Sequence, residues 1–127
     1  MITMPSVLIV ADDHQLRPLL KLVLVRAEYE VWDTDNAVEA ARIYRDHRTD
    51  VVVTDLLMPE RDGLELILDL RNMDRNVRVV ALSGGGAVDA DCYLYIARLF
   101  GARRTLTKPF SADEFLEAVR QLLEVRT

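Results

Sequence analysis

Val51-Val52-Val53-Thr54-Asp55-Leu56-Leu57-Met58-Pro59 decides the fold. Its first three residues are apolar and β-branched with no alternation, the pattern of a strand covered on both faces. A carboxylate, Asp55, then stands at the end of the most apolar strand, where a polar residue needs a reason. The bland reason is a turn that continues into Met58-Pro59-Glu60-Arg61-Asp62-Gly63. The chemical reason is a site beyond the strand end, because ligands in an open parallel sheet bind outside the carboxyl ends of its strands.

Outward from this stretch, Val7-Leu8-Ile9-Val10 and Val77 to Leu82 are also apolar without alternation. With Tyr29 to Asp33 and Arg103 to Thr107 they make five strands, at Val7–Ala11, Tyr29–Asp33, Val51–Asp55, Val77–Leu82 and Arg103–Thr107. Amphipathic stretches separate them, as in repeated βαβ units of a parallel α/β sheet. Leu16, Leu19, Leu20, Val23 and Leu24 form the stripe of the first helix, with Pro18 near its start. Asp62 with Glu65 marks a helix start near Gly63 to Arg71. Ser111 with Glu114 is a capping box, flanked by Phe110 and Phe115 at staple positions, so the last helix begins at Ala112 and runs to within a residue or two of Thr127. Its buried face is Phe115, Leu116, Val119, Leu122 and Leu123. For the fourth helix two stripes compete, Leu94, Ala97 and Phe100 against Val88, Cys92, Tyr95 and Leu99.

The length of 127 residues, half of them apolar, suits one domain over 1–127 with residues 1–5 as an N-terminal tail. No apolar run reaches the ~20 residues of a membrane span, and no signal peptide opens the chain, so a cytoplasmic location without membrane contact is expected. The net charge of −5, with both signs interspersed, argues against direct nucleic-acid binding. The one cysteine, Cys92, has no second thiol and reads as a small semi-buried apolar residue. His14 and His47 have no second ligand at metal spacing and read as surface residues, and Trp32 as edge-strand packing.

The residues after the strands form a set: Asp12-Asp13 after the first, Asp55 after the third, Ser83 and Gly84-Gly85-Gly86 after the fourth, Lys108-Pro109 after the fifth. Parallel strands bring them to one edge. Carboxylates held about 4 Å apart repel by ~4 kcal/mol per pair at an effective dielectric near 20, so a cation is expected among Asp12, Asp13 and Asp55. An all-oxygen set suits Mg²⁺, or Mn²⁺. One of Asp12 and Asp13 can instead cap a helix; both cannot. Asp55 beside a metal is a competent nucleophile toward a phosphoryl group, Ser83 can donate to its oxygens, and Lys108 can supply a point charge. Singly, Ser83 reads equally well as a loop hydroxyl and Lys108 as a solvated surface charge. The glycine run matches neither G-x-G-x-x-G nor G-x-x-x-x-G-K-[ST] and reads as a hinge or mobile loop.

Asp12-Asp13, Asp55-Leu56-Leu57-Met58-Pro59, Gly63, Ser83, and Gly101-Ala102 ahead of Lys108-Pro109-Phe110 together resemble the receiver domain of two-component response regulators, over essentially the whole chain. The resemblance implies a flavodoxin-like, doubly wound five-stranded parallel sheet of order 2-1-3-4-5 with five helices. It implies Asp55 as acceptor of a phosphoryl group from a histidine kinase or histidine phosphotransfer protein. Mg²⁺ would be held by Asp13, Asp55 and the Leu57 carbonyl, with Asp12 acting largely through water. A cis bond between Lys108 and Pro109 is also implied.

Two departures accompany the resemblance. Thr105 stands three residues before the lysine, where receivers usually carry a Tyr or Phe that swings inward on activation. Leu57 and Gly85 stand at the positions that tune phosphate loss, and neither side chain can orient a water, so a long aspartyl-phosphate half-life is expected. Two rival readings remain. A Mg²⁺-dependent aspartyl phosphatase of the haloacid-dehalogenase type needs an Asp where Leu57 stands. A pseudo-receiver would keep the fold as an interaction module without the switch. The switch reading leaves the output to a separate protein, or makes the chain a fragment of a larger regulator.

Overall fold

The computed structural model describes residues 4–58, 62–84 and 90–124. Strands β1 (Ser6–Val10), β2 (Glu30–Thr34), β3 (Val51–Asp55), β4 (Val79–Ser83) and β5 (Arg104–Thr107) alternate with helices α1 (Leu16–Arg26), α2 (Ala37–His47), α3 (Gly63–Met73), α4 (Ala90–Phe100) and α5 (Ala112–Glu124). All neighbouring strands pair in parallel, in the order β2-β1-β3-β4-β5. The expected doubly wound, flavodoxin-like sheet is therefore present.

The period of two along the strands divides the core into two layers. Leu8, Val10, Val52, Val79 and Ala81 face Ala40 and Tyr44 of α2, Leu66 and Leu70 of α3, and Leu94 and Ala97 of α4. Val7, Ile9, Val53, Val80 and Leu82 face Leu20 and Leu24 of α1 and Phe115, Val119 and Leu122 of α5. Strands β1, β3 and β4 thus bury both faces, which is why their sequences do not alternate.

Helix starts follow their capping residues. Asp62 accepts from the Glu65 N–H at 2.9 Å and Asn36 from the Glu39 N–H at 2.8 Å. At α5 the Ser111 hydroxyl accepts from the Glu114 N–H at 3.0 Å while the Glu114 carboxylate accepts from the Ser111 N–H at 3.2 Å, so the capping box closes. The Phe110 and Phe115 rings stack 6.0 Å apart, completing the staple. Trp32 stacks on His47 with ring centroids 3.9 Å apart, joining β2 to the end of α2.

Several expectations need correction. β4 runs from Val79 to Ser83, not from Val77, because the Val77 N–H donates to the Asp74 carbonyl in a turn. β1 and β2 are each shifted by one residue at both ends, and β5 starts one residue later, at Arg104. Leu19 is 59% exposed; it lies about 100° around α1 from buried Leu20 and misses the sheet. Cys92 is exposed rather than semi-buried, since α4 buries Leu94 and Ala97, on its far side. The competition between the two α4 stripes is resolved the same way: Tyr95 and Leu99 face outward, with Phe100 packed against the core. Val88 lies outside the described residues, as does the final stretch after Glu124.

Candidate phosphoacceptor site

Because every strand runs the same way, the carboxyl ends of β1, β3, β4 and β5 share one edge, and Asp55 ends β3 there with only 3% of its surface exposed. Lys108, just beyond β5, reaches across β4 and places its ammonium 2.7 Å from Asp55 Oδ1. Its backbone N–H donates to the Ser83 carbonyl at 2.8 Å, which extends the β4–β5 pairing and anchors the stem of the side chain. The Lys108–Pro109 bond is cis, as the resemblance implied.

Burial pushes the Asp55 carboxyl up from its usual range, the Lys108 ammonium pulls it back, and the charges of Asp12 and Asp13 push it up again. The ionised state of Asp55 is therefore held against desolvation chiefly by one ammonium.

Asp13 is exposed and has a structural task of its own. Its Oδ1 accepts from the backbone N–H groups of Gln15 at 2.8 Å and Leu16 at 3.0 Å, satisfying orphan donors at the start of α1. Those two bonds, with the Lys108 charge, hold its carboxyl below the usual range. So Asp13 is the member of the acidic pair that caps.

The backbone after Asp55 is fixed by Gly63. Its N–H donates to the Leu56 carbonyl at 2.8 Å, and a Cβ at this position would lie 2.1 Å from the Asp55 carbonyl oxygen. The Thr54 hydroxyl donates to that same carbonyl at 2.9 Å. Only a glycine lets the start of α3 approach the end of β3 so closely.

The structure thus brings Asp55 and Lys108 into direct contact and Asp12 and Asp13 within electrostatic reach of Asp55. Ser83 ends the neighbouring strand and is buried, one residue past Leu82, the register partner of Asp55. Leu57 is 51% exposed, Pro109 is exposed, and Thr105 is half-buried in β5 opposite Ala81. Gly85, with the rest of the glycine run after Gly84, lies outside the described residues. Three carboxylates against one ammonium leave the edge negative, which fits a cation. Among the described residues no group of three or more Asp, Glu, His or Cys side chains is placed to hold a metal ion by itself. A cation here would complete its shell with water, backbone and phosphate oxygens, as Mg²⁺ does.

Two charged residues next to this edge, Arg17 and Asp33, escaped the sequence reading. They pair across two elements, Arg17 Nε to Asp33 Oδ2 at 3.2 Å. A pair sixteen positions apart leaves no local pattern; only an Arg in the first turn of a helix, where the macrodipole disfavours it, hints at a partner.

Residues 7–120 match the family described as response regulator receiver domain. The chain is 32% identical over 118 residues to the chemotaxis protein CheY of Bacillus subtilis, covering 92% of this chain and 96% of that protein. It is 30% identical over 122 residues to the sporulation initiation phosphotransferase F of the same organism, covering 96% of each. Its fold is similar to the crystal structure of a response regulator receiver domain protein from Clostridium thermocellum, with a TM-score of 0.87, 25% identity and 94% of each chain covered. Strand order, site geometry and these likenesses agree: the chain belongs to the response regulator receiver domain family of two-component signalling systems.

Proposed function

We propose that this chain is a switch set by phosphorylation of Asp55. The observation that carries the reading is the buried Asp55 carboxyl in contact with the Lys108 ammonium at 2.7 Å, on an edge that also carries Asp12 and Asp13. A phosphoryl donor, a phosphohistidine of a histidine kinase or phosphotransfer protein, presents its phosphorus to Asp55. The new P–O bond forms on a carboxylate oxygen as the P–N bond breaks, and the departing imidazole keeps the electron pair. Lys108 then shifts its charge toward the phosphoryl oxygens, and the Ser83 hydroxyl donates to one of them. Asp13, Asp55 and the Leu57 carbonyl would hold Mg²⁺, with Asp12 acting through water, and the ion would supply positive charge beside the phosphoryl oxygens.

The modified edge carries added charge and acceptor oxygens, which biases the segments after β3 and β4 and alters binding to a separate output protein. With Thr105 half-buried in β5, inward rotation of a bulky ring is no part of this switch. The chain acts on itself and not on a free substrate.

The test is incubation with acetyl phosphate and Mg²⁺, followed by intact mass and amide shifts. Wild type gains one phosphoryl group and shifts amides around Asp55 and Ser83, and Asp55→Asn does neither. An unmodified wild type would leave a pseudo-receiver, while equal modification of Asp55→Asn would move the acceptor elsewhere.

A further inference from the structure

The acidic pair sits on a short β1–α1 connection, and one residue holds it from both sides, by its side chain on one and its backbone on the other. Arg17 Nη1 donates to the carbonyl of Ala11, the residue before the pair, at 2.8 Å. Its backbone N–H donates to the carbonyl of Asp13, the second member, at 3.0 Å. Its Nε reaches Asp33 Oδ2 on β2 at 3.2 Å, and Lys21 takes the other oxygen of Asp33 at the same distance. The Ala11 N–H donates to the Thr34 carbonyl at 3.1 Å, so Ala11 is tied to β2 directly and again through Arg17 and Asp33. The Arg17 side chain is 18% exposed where that of Lys21 is 47% exposed, so the guanidinium is packed and the ammonium is not. A planar fork can serve a carbonyl and a carboxylate on two elements at once; an ammonium cannot do so with fixed geometry.

We infer that Arg17, aimed by Asp33, is a positioning residue for divalent-cation binding, fixing the distance and direction of Asp12 and Asp13 relative to Asp55. The inference rests on the reading of this edge as a Mg²⁺ site. Arg17 touches neither the cation nor the phosphoryl group. Its side chain acts through the Ala11 carbonyl, on the backbone next to Asp12, as groups behind metal ligands do when they set ligand orientation, at a typical cost on removal of roughly 10- to 100-fold in affinity.

The test is a Mg²⁺ titration of the unphosphorylated full chain, read by amide shifts, for wild type, Arg17→Met, Arg17→Lys, Asp33→Asn and Tyr44→Phe. Tyr44 lies at the opposite edge of the sheet, so Tyr44→Phe lowers stability without touching the acidic pair. Arg17→Met is expected to weaken Mg²⁺ binding roughly 10-fold or more. Arg17→Lys and Asp33→Asn should weaken it by smaller factors, and Tyr44→Phe should leave it unchanged. Hydrogen exchange of the amides of residues 12–15 should quicken in the Arg17 variants alone. Folded Arg17→Met within twofold of wild type overturns the inference, as does a loss in Tyr44→Phe equal to that in Arg17→Met. If Arg17→Met does not fold, wild-type affinity in both Arg17→Lys and Asp33→Asn overturns it equally. A wild type that binds no Mg²⁺ removes the reading beneath the inference, a result distinct from equal affinities across the series.

Discussion

At the two ends of the same sheet, acids are treated in opposite ways. Where the strands begin, two acids have donors of their own: Asp50 Oδ2 accepts from the Ser6 N–H at 2.8 Å and the Ser6 hydroxyl at 3.2 Å. Asp74 accepts from the Asn76 N–H at 2.9 Å and the Tyr44 hydroxyl at 2.8 Å, with Arg48 at 3.6 Å. The Asn76 N–H, followed by the Tyr44 hydroxyl and the nearby arginines, holds the Asp74 carboxyl below its usual range. Where the strands end, Asp55 is more deeply buried, is displaced upward by that burial, and has like charges beside it. One end uses its polar groups to close the fold; the other buries a carboxyl beside like charges, the environment that the proposed phosphorylation of Asp55 would use.

The comparison can be strained first through the backbone that carries Asp55. Gly63→Ala forces a Cβ against the Asp55 carbonyl and should destabilise the domain by about 3 kcal/mol, read by urea denaturation, with phosphorylation of the surviving fold impaired. An alanine variant of wild-type stability would mean that α3 can retreat from β3.

A middle-sized effect belongs to the other end. Tyr44→Phe removes the hydroxyl from Asp74 and should cost about 1.5 kcal/mol near neutral pH, with phosphorylation intact. Its pH dependence follows from Asp74. A carboxyl held low in the fold adds stability above the usual carboxylate range and loses it as pH falls through the depressed value. The gap between wild type and Tyr44→Phe should therefore narrow in acid.

Asp55→Asn gives the smallest change, and one of opposite sign. A carboxyl raised by burial favours the fold only while protonated, so its contribution is present below the usual carboxylate range and lost as pH rises through the raised value. Removing that charge should raise Tm near neutral pH in the absence of metal by on the order of 2 °C, even though Lys108 loses its partner, because Lys108 can turn to solvent. The gain should shrink as pH is lowered. A lower Tm for the Asn variant at neutral pH would show that the Lys108 contact outweighs the burial of Asp55.

Much of this was legible in the chain, for physical reasons that differ by element. Val51–Val53 and Val7–Val10 announced doubly covered strands because nothing polar interrupts them, and Ser111 with Glu114 announced α5 because capping is local chemistry. The contact between Asp55 and Lys108 followed from topology alone, since parallel strands collect their ends. Strand limits were less legible: Ala11 still bonds to Thr34 after β1 ends, and Val77 is taken by the Asp74 turn before β4 begins. α4 is apolar on more than one side, so its sequence could not choose between Leu94 and Tyr95; packing against the sheet chose. The Arg17 and Asp33 pair spans two elements and shows only when they are folded together.

The stack of Trp32 on His47 has a practical consequence. It is the chain's sole indole, and it sits on the outermost strand of the sheet, two places away from the acceptor strand. Unfolding separates the two rings, whereas the proposed phosphorylation of Asp55 is expected to leave them stacked. Its fluorescence is therefore a gauge of global integrity, and denaturation and modification can be followed in one cuvette through independent signals.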